Sequence, residues 1–445
     1  MNTKEKRVAL ISLGCDKNTV DSERILFSIK NAGFNITSEL KDANIIILNT
    51  CAFILDAQQE SIDSILNAEQ FKSNGVCEKI LVCGCLVARN GDELIKEIPS
   101  IDRLVNISEY DKIADIICEL YQETNKVSNC DMAIGRILST PSHYAYVKIA
   151  DGCDNFCTYC TIPKIRGRFR SRKIEDIVTE CEGLAYSGVK ELILVAQDVT
   201  RYGIDLYNEY KINELVQKLT EIDGIKWVRL HYCYPELISD DLIKLIAIND
   251  KVCKYIDIPL QHVADSVLKR MNRKSTYKSI CTLIEKIKNQ ENKISIRTSF
   301  IVGFPGETED DFQLLKGFVQ KYKFDNLGVF QYSREQGTPA YNMPNQVLSK
   351  IKKQRQKQIY QIQQKIVDEN NQALVGKTIL AVCDDITSDY IVMRSEYNSP
   401  DVDTVIYCKL FNNVEQGKFY NVKITGFEGY DLIGVVKEDE NEFTE

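Results

Sequence analysis

The sequence contains no long hydrophobic run. No stretch of about 18 consecutive apolar residues occurs among its 445 residues, which argues against a transmembrane helix. The apolar stretch near the N-terminus is interrupted by Ser12 and lacks a small-residue cleavage site, so a signal peptide is not expected. We therefore predict a cytoplasmic protein without a membrane partner.

Several common functional signatures are also missing. The chain has only three histidines, and neither a Walker-type phosphate loop nor a Ser-His-Asp arrangement is recognisable. Its formal net charge of −8 argues against nucleic-acid binding by the protein as a whole, although local basic patches are compatible with that charge. These absences direct attention to the cysteines.

The chain contains sixteen cysteines, an unusually large number for a long chain of ordinary globular composition. In such a chain, clustered cysteines indicate metal or redox chemistry before disulfides. Ten of the sixteen lie outside any recognisable motif, and we expect these to be buried as small hydrophobic residues.

The pattern along the chain predicts an α/β protein with several domains. Three strand signals alternate with helices up to residue 121 and predict a parallel α/β domain, and residues 122–142 resemble a linker. Six further strand–helix units follow, fewer than the eight of a full barrel, and predict a partial parallel barrel. A long polar helix at 347–374 is expected to pack across it, and five short strands after Gly376 predict a small OB-like β-barrel.

Three cysteines stand close together in DGCDNFCTYC, residues 151–160. Cys153, Cys157 and Cys160 follow the first predicted barrel strand, where the catalytic face of a βα barrel lies. Three thiolates suit three irons of an iron–sulfur cluster and leave the fourth iron open to a small ligand. Zinc is the alternative, but it would need a fourth protein ligand, and His143 stands ten residues upstream of Cys153.

A second set of three cysteines is spread over the N-terminal domain. Cys15, Cys51 and Cys85 each stand at the end of a predicted parallel strand. Because the carboxyl ends of parallel strands meet at one edge of a sheet, these three side chains are expected to converge on a second iron–sulfur site. Cys83 would project from the opposite face of its strand and is expected to pack in the core.

Together these features resemble the methylthiotransferase family of radical S-adenosylmethionine (SAM) enzymes over nearly the whole chain. The family implies a methylthiotransferase domain at 5–121, a radical SAM core at 139–370 and a TRAM domain at 373–441. The matching motifs are SLGCDKNTVDSE (12–23), NTC (49–51), YVKIADGCDNFCTYCTIPKIRGRFRSR (146–172), VAQDVTRYG (195–203), IPLQH (258–262) and IVGFPGETEDDF (301–312).

Two branches of that family differ in substrate. One methylthiolates the β-carbon of an aspartate in ribosomal protein S-twelve, and the other an adenosine derivative in tRNA. LGCDKNTVDSE and RSEYNSPDVDTVIY (394–407) are similar to the ribosomal-protein branch, although Asp16 departs from the proline expected there. Residues 376–445 hold 14 acidic and six basic residues, a balance that would attract a basic ribosomal protein and repel phosphates.

The resemblance also implies cofactors and contact residues. It implies two [4Fe-4S] clusters on the two cysteine triads, SAM as radical source and methyl donor, catalytic roles for Cys153, Cys157 and Cys160, and an electron donor such as flavodoxin or ferredoxin. Tyr159 is expected near the SAM adenine. Gln197 and Asp198, after the second barrel strand, and Gly303, in GFPGE, are either SAM contacts or structural residues. The alternating arginines after the cysteine loop form a solvated face or contact SAM or substrate, and His262 is expected to be a hydrogen-bonding residue.

Overall fold

The computed structural model describes residues 5–122 and 135–437. Residues 123–134, most of the predicted linker, and residues 438–441 at the end of the expected third domain lie outside this range. Residues 135–143 form neither helix nor strand. No helix of the described ranges has both the length and the apolar character needed to cross a bilayer.

The N-terminal domain is a five-stranded parallel sheet in the order β2-β1-β3-β4-β5, with helices on both faces. Its strands are β1 (Arg7–Ser12), β2 (Asn35–Ile36), β3 (Ile45–Thr50), β4 (Lys79–Gly84) and β5 (Arg103–Val105), and its helices are α1 (Asp16–Asn31), α2 (Leu55–Asn74), α3 (Cys85–Glu97) and α4 (Ile113–Leu120). Every residue of β3 is buried, as expected for a central strand covered on both faces. The sequence predicted the three central strands and missed the two short edge strands.

The second domain is an open barrel of two three-stranded parallel sheets. The order is β10-β9-β6 in one and β11-β12-β13 in the other. A single bridge between Val228, in β10, and Val252, just before β11, connects the two sheets. The strands are β6 (Tyr144–Lys148), β9 (Glu191–Val195), β10 (Trp227–Leu230), β11 (Tyr255–Gln261), β12 (Ser295–Val302) and β13 (Asn326–Gln331). A small antiparallel ribbon of β7 (Ala150–Asp151) and β8 (Arg170–Ser171) flanks the cysteine loop. The partial six-strand barrel is confirmed.

Helices surround the barrel sheets, and their apolar faces form its main core. They are α5 (Ile162–Ile165), α6 (Ile174–Tyr186), α7 (Ile204–Tyr207), α8 (Ile212–Thr220), α9 (Asp240–Ile248), α10 (Asp265–Arg270), α11 (Tyr277–Lys288), α12 (Glu309–Tyr322) and α13 (Ser349–Gln372). As predicted, α13 packs across the barrel, because Ile359 and Ile366 are buried in that core, while the flanking Ile351 is exposed.

The C-terminal domain is a closed five-stranded barrel, again as predicted. Its strands are β14 (Thr378–Ile386), β15 (Tyr390–Ser395), β16 (Ile406–Lys409), β17 (Phe419–Glu428) and β18 (Asp431–Val436), in the closed order β14-β15-β16-β18-β17. Alternate residues point inward and make a compact apolar core of nine fully buried side chains.

Acidic residues of the C-terminal barrel are partly used inside the molecule. Residues 376–437 hold nine acidic and six basic side chains. Four of the nine contact the radical SAM core: Asp384 bonds His143, Glu396 accepts from the Lys254 amide, Asp401 accepts from two tyrosines, and Asp403 pairs with Arg297. The expected acidic surface is therefore weaker than the composition indicates, because part of the charge fixes this domain to its neighbour.

Candidate active site

The loop with Cys153, Cys157 and Cys160 lies at the carboxyl end of the barrel strands, between β7 and α5. Its fold is set by backbone contacts, since the Cys153 amide donates to the Gly167 carbonyl at 3.1 Å and the Cys160 amide to the Cys157 carbonyl at 3.0 Å. Gly152 has a φ of 77°, and a Cβ there would lie 2.1 Å from the Arg168 carbonyl oxygen. Only glycine allows the chain to enter the loop so close to the returning strand.

The three thiols of this loop are held close together in a site with little solvent. Burial, together with the charges of Cys157 and Asp198, raises the pKa of Cys153 to about 11. Burial and the charge of Cys157 also raise the pKa of Cys160. The Tyr234 hydroxyl lies 3.3 Å from Cys157 Sγ. Three crowded thiols fit a cationic group that binds thiolates and compensates their mutual repulsion.

The four predicted SAM contacts lie around this loop, but they differ in what they leave for a ligand. The Tyr159 ring packs edge-on against Phe304, with 6.4 Å between ring centroids. Gln197 donates to Asp151 at 3.3 Å, and its Oε1 atom is buried without a hydrogen-bond partner. An unpaired buried acceptor calls for a bound group, so Gln197 is the polar side chain of the four that is left for a ligand.

Asp198 and Gly303 have structural partners. Asp198 is fully buried and accepts hydrogen bonds from the Asn155 amide group and the Thr200 hydroxyl. It therefore anchors the cysteine loop through Asn155. The Gly303 amide donates to Glu307, and a Cβ at Gly303 would lie 2.3 Å from Lys352 Cγ. The structure thus favours the tight-turn interpretation for Gly303.

The second triad lies at the carboxyl edge of three adjacent strands of the N-terminal sheet. Cys15 follows β1 and caps α1, Cys51 follows β3 directly, and Cys85 is the first residue of α3 after β4. Burial raises the pKa of Cys85 to about 11, and the nearby Cys15 and Cys51 contribute to this rise. The three cysteines that sequence spacing grouped are therefore brought together, whereas Cys83 is fully buried in the core on the other face of the sheet.

Close packing holds the loops of this triad in place. Gly14 has a φ of 94°, and a Cβ there would lie 2.8 Å from Cys51 Sγ. The Asn18 side chain donates to the carbonyls of Leu13 and Thr50, at 2.9 and 3.0 Å. One asparagine thus links the loops that carry Cys15 and Cys51, a role that the KN dipeptide of the motif did not reveal.

Arg166 connects the two triads. It follows α5, just beyond the loop of Cys153, Cys157 and Cys160, and its side chain is only 1% exposed. Its Nη2 atom donates to Asn18 Oδ1 and lies 3.8 Å from Cys85 Sγ, while Nη1 donates to Asp21 and Asp151. The sequence grouped it with Arg168 and Arg170 on an alternating face, but those two side chains are exposed and Arg166 is not.

A cavity of about 600 Å³ lies beside this connection. Its lining includes Asp21, Lys148, Asp151 and Arg166, and Lys148 pairs with both carboxylates. Because Arg166 of this lining contacts Asn18 and Cys85, the cavity provides a polar space next to the second triad.

The donor sets fit iron–sulfur clusters better than a mononuclear metal. Within residues 5–122 and 135–437, no three His, Cys, Asp or Glu side chains are grouped as ligands of a single ion. In a cubane cluster each thiolate binds a different iron, so the thiols need to be neighbours and need not share one centre. The zinc alternative thus gains no support, since the described residues add no fourth ligand to either triad.

His262 is buried beside the barrel mouth and is expected to make the fold acid-sensitive. Its Nδ1 atom accepts a hydrogen bond from the Ala264 amide at 3.0 Å, and burial lowers the pKa of His262 to about 3. In the unfolded chain the ring protonates below about pH 6.5, so between about pH 6.5 and pH 3 the unfolded state binds more protons. Stability therefore decreases as the pH is lowered through this range. Between pH 7.5 and pH 5 we expect His262 to lower the free energy of unfolding, measured with urea, by about 2 kcal/mol. His262→Asn should lose less stability over that range, and an equal loss in both proteins would contradict this.

Comparisons with known proteins agree with this arrangement. Family models match in chain order: the uncharacterized protein family UPF0004 over residues 7–106, the radical SAM superfamily over 147–319 and the TRAM domain over 375–436. Among solved structures, the radical S-adenosylmethionine methyltransferase TsrM from Kitasatospora setae has a TM-score of 0.57 at 12% identity, over 76% of this chain and 77% of that chain. At that identity the likeness concerns the fold.

Relatives in sequence are much more similar. The chain is 48% identical over 440 residues to the ribosomal protein uS12 methylthiotransferase RimO of Clostridium kluyveri, covering 97% of this chain and 98% of that protein. The RimO protein of Clostridium tetani is 47% identical with the same coverage. Identity at this level over nearly the full length of both partners includes all three domains. The chain therefore belongs to the ribosomal protein uS12 methylthiotransferase family of radical SAM enzymes.

Proposed function

We propose that this protein methylthiolates ribosomal protein uS12, as the names of its relatives indicate, and that the modified atom is the β-carbon of an aspartate. The observation that carries the proposal is the pair of cysteine triads, which stand on two domains and are linked through Arg166. An enzyme that must both activate a C–H bond and deliver sulfur needs two such centres. The proposed domain bounds are 5–121, 139–370 and 373–441.

Each triad would hold one [4Fe-4S] cluster. Cys153, Cys157 and Cys160 would bind the radical SAM cluster, and the ligands of the second would be Cys15, Cys51 and Cys85. When bound, a cluster with three thiolates leaves one iron open, where SAM or a sulfur compound can be ligated for one-electron chemistry and sulfur supply. We further propose two SAM molecules per turnover, one as oxidant and one as methyl donor.

The chain's own residues would position and shield these groups. Gln197 Oε1 and the Tyr159 ring would orient SAM beside the cysteine loop, and Asp198 would keep Asn155 of that loop in place. Arg166, Asp21 and Lys148 form a buried charged network that fixes the distance between the two triads. Such preorganisation matters because small displacements at reacting centres reduce rates strongly.

Two partners complete the proposal. A one-electron carrier such as flavodoxin or ferredoxin would supply the reducing electron, and a cytoplasmic location follows from a ribosomal-protein substrate. The alternative substrate is a tRNA adenosine derivative. Residues 394–407 resemble the ribosomal-protein branch in sequence, and three of them, Arg394, Ser399 and Asp403, contact the radical SAM core. These three would act by fixing the C-terminal barrel and not by touching the substrate.

Mass spectrometry decides between the two substrates. In a strain that lacks this gene, we expect uS12 to lose the mass of one methylthio group while tRNA nucleosides stay unchanged. The wild-type gene should restore the modification, and a gene carrying Cys153→Ala should not. Loss of a methylthio group from tRNA alone would reject the uS12 assignment and favour the tRNA branch.

A further inference from the structure

The outer side of the radical SAM cysteine loop carries an exposed aromatic residue that no step above uses. Phe156 is 47% exposed and immediately precedes Cys157. Its φ of 48° lies in the left-handed region, which non-glycine residues rarely adopt. The Asn272 side chain donates to the Phe156 carbonyl at 3.0 Å and thereby helps to hold this conformation. The loop thus presents a large apolar ring to solvent at some cost in backbone energy.

One basic side chain lies over this ring, and others stand on the segments beside it. The Arg168 guanidinium lies 5.3 Å from the centre of the Phe156 ring and is 72% exposed, although it also pairs with Asp154. On the other side, Thr158 is hydrogen-bonded to the carbonyls of Arg270 and Met271, which brings the segment after α10 against the loop. Lys274 of that segment is exposed, as are Lys269 in the last turn of α10 and Arg170, two residues after Arg168. We call Phe156, Arg168, Arg170, Lys269 and Lys274 the loop patch.

From this geometry we infer that the loop patch is the docking site of an acidic flavodoxin, which delivers the electron to the radical SAM centre. The inference rests on the proposed function, because it presupposes an iron–sulfur group on Cys153, Cys157 and Cys160. In the transfer, the reduced flavin gives up one electron and the iron–sulfur group accepts it, with no bond made or broken. Phe156 of the patch is exposed and is the residue before Cys157, so a carrier bound there reaches the cysteine loop without entering the barrel.

Charge and surface chemistry both favour this occupant. The whole chain has a formal net charge of −8, so an acidic carrier is repelled elsewhere and attracted to a local basic patch. A flavin presents an aromatic edge that suits contact with an exposed phenylalanine ring. Electron-transfer complexes are small and short-lived, so a patch built around one loop provides sufficient area. A basic ribosomal protein would be repelled here. RNA would match the charge and could stack its bases on the ring, so it is kept as a separate outcome of the test. The position of the ring next to Cys157 favours an electron carrier.

The test measures binding and reduction separately. Anaerobically reconstituted protein is titrated with flavodoxin at low ionic strength, and the rate at which reduced flavodoxin bleaches the iron–sulfur absorbance is followed by stopped flow. We expect the double variant Arg168→Glu and Lys274→Glu to bind at least about tenfold more weakly and to be reduced correspondingly more slowly, with the difference shrinking at high salt. Phe156→Ala should slow reduction with little change in the salt dependence.

Matched controls lie at the opposite ends of the strands. Lys226, immediately before β10, and Lys244 on α9 are exposed, so Lys226→Glu with Lys244→Glu makes the same charge change away from the loop. Tyr186, which is 96% exposed at the end of α6, provides Tyr186→Ala as the aromatic control. These controls should match wild type. Iron content and reduction by dithionite, which needs no docking site, should be unchanged in the loop-patch variants.

The outcomes separate this inference from the proposed function. Equal flavodoxin binding by the wild type and the Arg168→Glu, Lys274→Glu variant would overturn the docking site, even if uS12 is still modified with dithionite. Reduction that depends on the patch with ferredoxin but not with flavodoxin would overturn the choice of carrier, and binding of RNA in place of both carriers would do so too. Failure of the dithionite-reduced wild type to modify uS12 would count against the proposed function and leave the binding result intact.

Discussion

Replacing Cys153 by alanine is expected to abolish both SAM cleavage and uS12 methylthiolation, whereas Cys85→Ala should abolish methylthiolation and leave SAM cleavage measurable. The reason is that the two residues belong to separate triads, one on the barrel loop and one on the N-terminal sheet. Loss of one of three thiolates leaves two ligands, too few to retain the cluster, so each variant should contain about half of the wild-type iron.

The measurement combines iron and sulfide analysis with 5′-deoxyadenosine formation under dithionite. Cys83→Ala is the matched control, because Cys83 stands two residues before Cys85 but is buried in the opposite core. That variant should keep the wild-type iron content and lose folding stability only through poorer packing, on the order of 1 kcal/mol. If Cys85→Ala retained full iron and full methylthiolation, the assignment of a second cluster to Cys15, Cys51 and Cys85 would be wrong.

The two triads could be predicted from the sequence because each is encoded in a local pattern. Cys153, Cys157 and Cys160 fall within one loop, so their spacing alone groups them. Cys15, Cys51 and Cys85 are far apart in the chain, but each follows a strand signal, and the carboxyl ends of adjacent parallel strands must lie together. Strand periodicity does not separate Cys83 from Cys85, because positions two apart on a strand face the same side. The two side chains diverge because β4 ends at Gly84 and Cys85 already begins α3.

The link between the triads could not be predicted in that way. Arg166 and Cys85 are 81 positions apart and lie on different domains, so their contact depends on how two domains pack. Alternation of Arg166, Arg168 and Arg170 indicates an extended segment but does not show which side is covered. The edge strands β2 and β5 were missed because two and three residues are too few to show a periodic pattern.

Charge was the other feature that composition misrepresented. Counting acidic residues in the C-terminal barrel treats each as part of its surface, yet Asp384 and Asp403 are largely covered by the radical SAM core. A buried carboxylate that pairs with a neighbouring domain contributes to cohesion, whereas only an exposed one contributes to long-range attraction. The sequence does not distinguish the two kinds of carboxylate, because the difference depends on how the two domains pack.

Glu191→Gln is expected to destabilise the protein by about 3–5 kcal/mol, because it leaves buried arginines without their counter-charge. Glu191 is at the start of β9 and is fully buried between Arg229, at 2.7 Å, and Arg394 of the C-terminal barrel, also at 2.7 Å. Arg394 keeps Asp384 as a second counter-charge, but Arg229 then has only uncharged partners, the Glu396 carbonyl and the rings of Trp227 and Tyr255. The same substitution therefore weakens the junction between the two domains.

Urea unfolding measures the loss, and limited proteolysis shows whether the C-terminal barrel detaches first. Asp240→Asn is the control, because Asp240 forms an exposed pair with Lys286 and its removal should cost less than about 1 kcal/mol. A loss below that of the control would mean that the buried pairs do not hold the domains together.

The pH dependence of the same variant identifies the cause. Burial alone would raise the pKa of Glu191, but Arg394 and Arg229 outweigh it and bring the pKa down to about 2. A carboxyl whose pKa is lower in the folded than in the unfolded state stabilises the fold above its unfolded value, and this contribution is lost as the pH falls towards the folded value. The difference in free energy of unfolding between wild type and Glu191→Gln should therefore have its full size at pH 7 and decrease as the pH falls from about 4.5 towards 2. A packing defect would instead give a difference that does not change with pH, because the two side chains have nearly the same shape.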